Sequence, residues 1–143
     1  MIQRIQTIWL LLAAIAMLAT LKVSFYFGNI ISTGENGAAI KTWTELNGSF
    51  NMITNILTVS IGVLSLVTIF LFSNRKLQMK FIVAGIILEL LLMAEYEFSI
   101  KQFSEGGYSA GSIIQLLVMF FFFLAFRGIR KDNKIIAESN RLR

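Results

Sequence analysis

Two polar residues inside apolar runs are the residues best placed to do chemistry. Glu89 lies near the middle of the run 81–93, and Gln115 lies in the run that ends at Phe126. At 1.5 Å rise per residue, both stand roughly 12 to 16 Å from the same end of their helices, which predicts a hydrogen bond between them. A carboxylate at mid-bilayer costs about 2.5 to 3.5 kcal/mol, so Glu89 should face protein or water.

Three interpretations of Glu89 remain open. It is a proton-coupling or substrate-binding carboxylate, a polar residue that fixes helix packing within the chain, or a residue that faces a helix of another subunit. Its own helix supplies an inward stripe, and the preceding apolar segment supplies further hydrogen-bond partners. The stripe is Gly85, Glu89, Met93 and Tyr96, and the partners are Thr58, Ser60 and Ser65.

Lys22 and Glu95 form the second candidate intramembrane pair. Counted along their segments, they stand about 25 and 24 Å from the inner ends, which predicts an ion pair near the outer interface, with Glu97 as another acceptor. The alternative, which we favour, has Lys22 extending outward while the glutamates end their helix among headgroups.

The composition argues against catalysis. The chain has no Cys and no His, which excludes thiolate nucleophiles, imidazole bases and the usual zinc and haem ligands. No glycine-rich phosphate loop is present. We therefore predict no catalytic residues, no metal site and no cofactor, in a protein that is not an enzyme.

Four long apolar segments must position these residues. Each is long enough to cross a bilayer, and they cover 5–27, 52–72, 79–98 and 108–126. A mean hydropathy of +0.72 supports the same class. The 143 residues leave room for one integral membrane domain and no separate soluble one. The prediction is an all-α membrane protein, a four-transmembrane-helix antiparallel bundle whose first segment is a retained helix rather than a signal peptide.

The outer loop 28–51 contains two short β-prone runs on either side of a Glu-Asn-Gly turn. This pattern predicts a small hairpin over the outer membrane face. A disordered loop is the alternative, because an isolated two-stranded hairpin is marginally stable in water.

The basic residues are distributed asymmetrically. Ten of the 13 Lys and Arg residues lie on one side of the four segments, and only Lys22, Lys41 and Lys101 lie on the other. Short loops follow the positive-inside bias, so both termini should be cytoplasmic.

Six of the ten lie in the tail 127–143, namely Arg127, Arg130, Lys131, Lys134, Arg141 and Arg143. Ile129, Ile136 and Leu142 recur about every seven residues, which predicts a basic helix with a narrow apolar stripe. Such a helix lies on anionic lipid or docks a cytoplasmic partner. Nucleic acid is not expected, because the charges are juxtamembrane.

Both ends of the chain carry a resemblance. The opening MIQRIQTIWLLLAAI (1–15) and the closing segment 127–143, RGIRKD to SNRLR, resemble a domain-of-unknown-function family of small four-helix inner-membrane proteins from Bacteroidetes-group bacteria. The resemblance implies a multi-pass protein of the bacterial inner membrane. It brings no activity, cofactor or catalytic residue.

Two classes of function fit these observations. The first is a non-enzymatic accessory or assembly subunit of a larger membrane complex, which meets a membrane-protein partner or a second copy through its Phe-rich fourth segment and basic ends. The second is a small proton- or cation-coupled transporter that uses Glu89 with Gln115.

Overall fold

The computed structural model describes residues 3–33 and 39–141. Four helices dominate these residues, and three short strands complete the fold. The helices are α1 (Gln3–Ala19), α2 (Met52–Phe70), α3 (Arg75–Ile100) and α4 (Ala110–Arg141), and the strands are β1 (Tyr26–Thr33), β2 (Ala39–Leu46) and β3 (Glu105–Tyr108).

Each helix buries one stripe of residues at alternating spacings of four and three. The stripes are Gln6, Leu10, Ala13 and Met17 on α1; Thr54, Thr58, Ile61, Ser65 and Thr68 on α2; Gln78, Ile82, Gly85, Glu89, Leu92, Tyr96 and Ser99 on α3; and Gly111, Gln115, Val118, Phe122, Ala125, Ile129 and Asp132 on α4. This spacing is the 3.5-residue period of left-handed coiled coils. This spacing explains why one particular face of each long, almost uniformly apolar segment lies inward.

The helices pack side by side in chain order, and α4 also packs against α1. Asn51 caps α2 and donates a hydrogen bond to Glu95, near the end of α3. Gln6 at the start of α1 donates to Asp132, far along α4. Sequential neighbours therefore run antiparallel, and a short 3-10 turn, Leu71–Ser73, joins α2 to α3.

The three strands form an antiparallel sheet in the order β2-β1-β3. The sheet lies at one end of the helices, which we name the sheet end, because β1 and β2 connect α1 to α2 and β3 connects α3 to α4. The opposite end is named the basic end, because seven Lys and Arg residues with described side chains lie there: Arg75, Lys76, Lys80, Arg127, Arg130, Lys131 and Lys134.

The predicted hairpin is confirmed. β1 pairs with β2 from Tyr26↔Leu46 to Thr33↔Ala39. The predicted turn between the strands, 34–37, lies outside the described residues. The structure adds a third strand, β3, which lies in the second outer loop of the sequence interpretation except for Tyr108, the first residue of the predicted fourth segment.

Two helices differ in extent from the predicted apolar segments. The first segment was expected to be helical over 5–27, but α1 ends at Ala19, and the last two residues of the segment begin β1. The fourth segment, 108–126, and the predicted basic helix that follows it form one continuous helix, α4, and Ile129 and Asp132 extend its buried stripe.

Three helices are long and apolar enough to cross a membrane. They are Met52–Ser73, Arg75–Ile100 and Ala110–Asp132, while the apolar part of α1, Ile5–Ala19, is shorter. The expectation of a membrane protein is supported at this level, with a small sheet added to a mostly helical chain.

Candidate functional site

A buried group of polar side chains lies among α2, α3 and α4. We name it the central polar cluster and define it as Thr58, Glu89, Tyr96 and Gln115. Each of these residues is 0% exposed in the single chain. The cluster therefore lies inside the helical core and not on its surface.

The stripe positions bring these residues together. Glu89 and Tyr96 occupy two inward positions of α3, Gln115 occupies one on α4, and Thr58 occupies one on α2. Such positions are ordinarily apolar, so a polar residue there must find its partners across the helix interface. The inward positions of α3 and α4 follow the same four-three spacing, and this brings Glu89 and Gln115 close together, as predicted.

The contacts within the cluster are close but incomplete. Gln115 lies beside the Glu89 carboxyl group, and Thr58 lies beside the Tyr96 hydroxyl. No hydrogen bond of ordinary length and angle reaches either carboxylate oxygen, the Gln115 amide or the Tyr96 Oη. Buried polar groups are almost always hydrogen-bonded, and an unpaired one costs several kcal/mol in hydrocarbon. The cluster is thus the least satisfied polar part of the described core.

Aromatic rings close the cluster on two sides. Toward the sheet end, the Phe25 ring stacks on Tyr96 with their centroids 4.5 Å apart. Toward the basic end, the Phe122 ring packs against Gly85, where an added Cβ would lie 2.9 Å from ring carbons. The carboxyl group is therefore enclosed, and what it can do here is hold or exchange a proton with its polar neighbours.

A metal ion is not indicated at this site. The described residues contain no group of three or more potential Asp, Glu, His or Cys ligands. The cluster offers one carboxylate, an amide and two hydroxyls, which form a hydrogen-bonding set.

The intersubunit interpretation of Glu89 is wrong for this fold. A residue that faces another subunit must be exposed in the isolated chain, and Glu89 is fully covered by its own helices. Of the other predicted neighbours, Ser60 is exposed, Ser65 donates to the Ile61 carbonyl oxygen at 2.9 Å, and Met93 is half-buried. The stripe takes Leu92 in place of Met93.

The Lys22–Glu95 ion pair does not form. Lys22 lies beyond the end of α1 and is exposed, as the alternative interpretation expected. Glu95 instead accepts a hydrogen bond from Asn51 Nδ2 at 3.2 Å. The sequence count assumed that the first helix continued past residue 22, so it placed Lys22 too far along a helix that had already ended.

The residues of the predicted tail site differ in exposure, and some of them lie outside the described residues. Arg127, Arg130, Lys131 and Lys134 lie exposed on α4, whereas the Arg141 side chain and Arg143 lie outside the described residues. Ile129, expected on a surface stripe, is 0% exposed in the core, and the Ile136 side chain and Leu142 lie outside the described residues.

Gln6 and Asp132 form a contact that the sequence interpretation missed. The Gln6 amide donates to the Asp132 carboxylate, and both side chains are 8% exposed. The available signal was the four-three spacing that continues from Phe122 through Ile129 to Asp132.

Comparison with known proteins identifies a family. The model of the domain of unknown function DUF4293 matches residues 2–142. No curated protein and no solved structure matches the chain. The match extends across all four helices and the sheet, so the expectation of a domain-of-unknown-function family is confirmed. The chain therefore belongs to the DUF4293 family.

Proposed function

We propose that the chain is a four-span protein of the bacterial inner membrane and a non-enzymatic accessory or assembly subunit of a larger membrane complex. Three helices meet the length and composition of a span. For α1, the support is its packing against both α2 and α4 and its outward apolar residues, Ile5, Ile8, Leu11, Leu12, Ile15 and Leu18, all exposed. Lipid is the medium that such a face requires.

The orientation follows from the charges at the two ends. Seven cationic residues with described side chains lie at the basic end, against three at the sheet end. Because short-loop Lys and Arg residues favour the cytoplasm, the basic end and both termini are cytoplasmic and the sheet is on the outer side. This assignment also places anionic lipid headgroups beside the basic end.

The exposed aromatic surface of the sheet carries the proposed accessory role. Phe27 and Trp43 stack with their centroids 6.5 Å apart, and they are 44% and 70% exposed. They lie on one sheet face with Ile31, because the register pairs Asn29 with Trp43 and Ile31 with Lys41. Rigid exposed aromatic side chains are the usual anchors of protein interfaces. A membrane-protein partner is the occupant that we propose, and a second copy of the chain is the competing outcome of the test.

The test compares two variants of matched exposure. Trp43 is 70% exposed at the sheet end, and Phe72 is 69% exposed at the basic end. Tagged protein at native expression level is purified in mild detergent, and co-purified proteins are quantified by mass spectrometry. We expect defined partners whose recovery falls at least tenfold in Trp43→Ala and stays unchanged in Phe72→Ala. Recovery of only a monomer or homodimer from the wild type would overturn the proposed accessory role.

A second candidate function, a proton- or cation-coupled transporter, is favoured by the incomplete hydrogen bonding of the central polar cluster. Its test is Glu89→Gln in proteoliposomes, which keeps the size of the side chain and removes its titration. A transporter would lose coupled flux while remaining folded. An accessory subunit would retain its partners, and Glu89 would then be a packing residue.

A further inference from the structure

A groove opens between α3 and α4 at the basic end. Its lining residues are Lys76, Met79, Lys80, Val83 and Phe126, and its volume is about 530 Å³. Small-molecule sites commonly enclose about 300 to 1,000 Å³ with mostly apolar walls and a few polar groups. We propose that this groove binds one anionic glycerophospholipid, with an acyl chain along the apolar wall and the phosphate at the two lysines.

The order of residues along the groove matches the order of groups in a phospholipid. Lys76 lies in the first turn of α3, and Val83 lies about 10 Å further toward the membrane centre at 1.5 Å per residue. Phe126 stands opposite on α4, just before the first basic residue of that helix. The positive charge is therefore concentrated at the basic-end opening of the groove, and the apolar surface of the groove continues toward the sheet end.

The two lysines favour an anionic occupant. Lys76 and Lys80 are exposed and four residues apart, so they share one face of α3, where like charges repel. Within the described part of the chain, neither lysine forms a salt bridge with a carboxylate. The carboxylate of Asp132, at the same end, is already held by Gln6 of α1. A phosphate between the lysines would contact both ammonium groups and reduce their mutual repulsion.

The position of the groove favours a lipid over a soluble anion. Val83 is 43% exposed, and Phe126 is half-buried on the facing helix. Basic pockets between transmembrane helices on the cytoplasmic side are typical sites for anionic headgroups. The inference rests on the proposed membrane orientation and gives a specific site to its expected lipid partner, but it is independent of the accessory role.

Native mass spectrometry of the full-length protein tests the site. Protein in neutral detergent is titrated with phosphatidylglycerol or phosphatidylcholine of identical acyl chains, and the first bound lipid is quantified. We expect one phosphatidylglycerol to bind at least tenfold more tightly than phosphatidylcholine. Equal binding of the two lipids would overturn the proposal.

Matched variants distinguish lipid binding in this groove from the nonspecific attraction of anionic lipid to exposed basic residues. Lys76→Gln/Lys80→Gln should lose the tenfold preference, whereas Arg130→Gln/Lys131→Gln removes the same charge from exposed α4 positions and should retain it. Val83→Trp fills the groove without changing charge and should weaken the first bound lipid of either type. Wild-type behaviour of the double lysine variant, or equal loss in the α4 variant, would contradict the assignment.

A headgroup competitor distinguishes a lipid site from a phosphate site. Glycerol phosphate, which lacks acyl chains, should not displace the bound phosphatidylglycerol, and displacement at comparable concentration would refute a lipid site. The same lysine variant is also examined for co-purified partners. Loss of the lipid preference with partners retained supports the lipid site and leaves the accessory role intact, whereas a retained preference overturns the lipid site whether or not partners are lost.

Discussion

Backbone hydrogen bonds join separate loops at the sheet end, whereas side chains make the contacts between helices at the basic end. Phe25 N donates to Leu46 O at 2.7 Å, and Gly48 N donates to Thr20 O at 2.9 Å. Gly111 N donates to Ser24 O at 3.0 Å, so α4 begins against the same turn. At the basic end, the Gln6–Asp132 hydrogen bond and the Trp9–Phe121 stack link α1 to α4.

This difference predicts that the two ends tolerate different changes. Where two backbones approach most closely, at Gly28, Gly106 and Gly111, only a residue without a Cβ fits. Side-chain contacts depend on chemical identity and can repack. The sheet end should therefore be sensitive to added atoms, and the basic end to removed hydrogen-bond partners.

The largest expected effect is that of Gly106→Ala at the sheet end. A Cβ at Gly106 would lie 2.3 Å from the Phe27 carbonyl oxygen, so β1 and β3 would have to separate. We expect a loss of about 3 kcal/mol in the free energy of unfolding, measured by denaturation in detergent.

Gly107→Ala is the matched control for this prediction. The nearest atom to an added Cβ there is 3.9 Å away, on the Phe27 ring. Its stability should equal or slightly exceed that of the wild type. Equal destabilisation by the two changes would break the comparison, since crowding against the neighbouring strand would not be the cause.

A smaller effect is expected from Asp132→Ala at the basic end. The change leaves the buried Gln6 amide without its acceptor, which should lower the free energy of unfolding by about 1 to 2 kcal/mol. Asp132→Asn keeps an acceptor oxygen and should lose less than half as much. Thermal unfolding of both variants in one detergent measures the difference. A larger loss than that of Gly106→Ala would reverse the ranking of the two ends.

These two predictions also show what the sequence could reveal. The segments, the hairpin and the proximity of Glu89 to Gln115 follow from hydropathy, turn residues and helical rise, all of which are local or periodic. The third strand does not, because Gly106 and Gly107 are residues that strands usually avoid. Gly106 fits there because β1 comes so close, whereas Gly107 has room for a Cβ, and no local pattern reveals this difference.

The end of α1 could not be predicted from the sequence either. Val23, Phe25 and Phe27 continue the apolar run, so hydropathy alone extends the helix through them. Their β-branched and aromatic types suit a strand, but only the hydrogen bonds of Phe25 and Ser24 with other loops decide the matter. Lys22 was misplaced for the same reason.

The smallest expected effect is a shift in the pKa of Tyr108 at the sheet end. Tyr108 Oη donates to Glu97 at 3.2 Å, and partial desolvation followed by the carboxylate charge raises the pKa of Tyr108 above its ordinary value of 10. Because the neutral phenol is favoured in the fold, this contribution to stability is complete below pH 10 and is lost as pH rises through the raised pKa.

Ultraviolet titration of tyrosinate measures this shift. Glu97→Gln should move the Tyr108 transition toward lower pH. An unaltered Tyr108 transition would mean that the Glu97 carboxylate does not contribute to the raised pKa of Tyr108.

The pairing of β1 with β3 has a consequence for biosynthesis. Tyr26 pairs with Tyr108, and two complete helices, α2 and α3, separate the two strands along the chain. During synthesis, the hairpin of β1 and β2 emerges early, and the outer edge of β1 stays open until the ribosome has delivered the third strand. In the proposed membrane topology, completion of the sheet therefore reports that α2 and α3 have been inserted as a pair. A nascent chain with α3 misplaced would leave the β1 edge unpaired, where chaperones or proteases on that side of the membrane could recognise it.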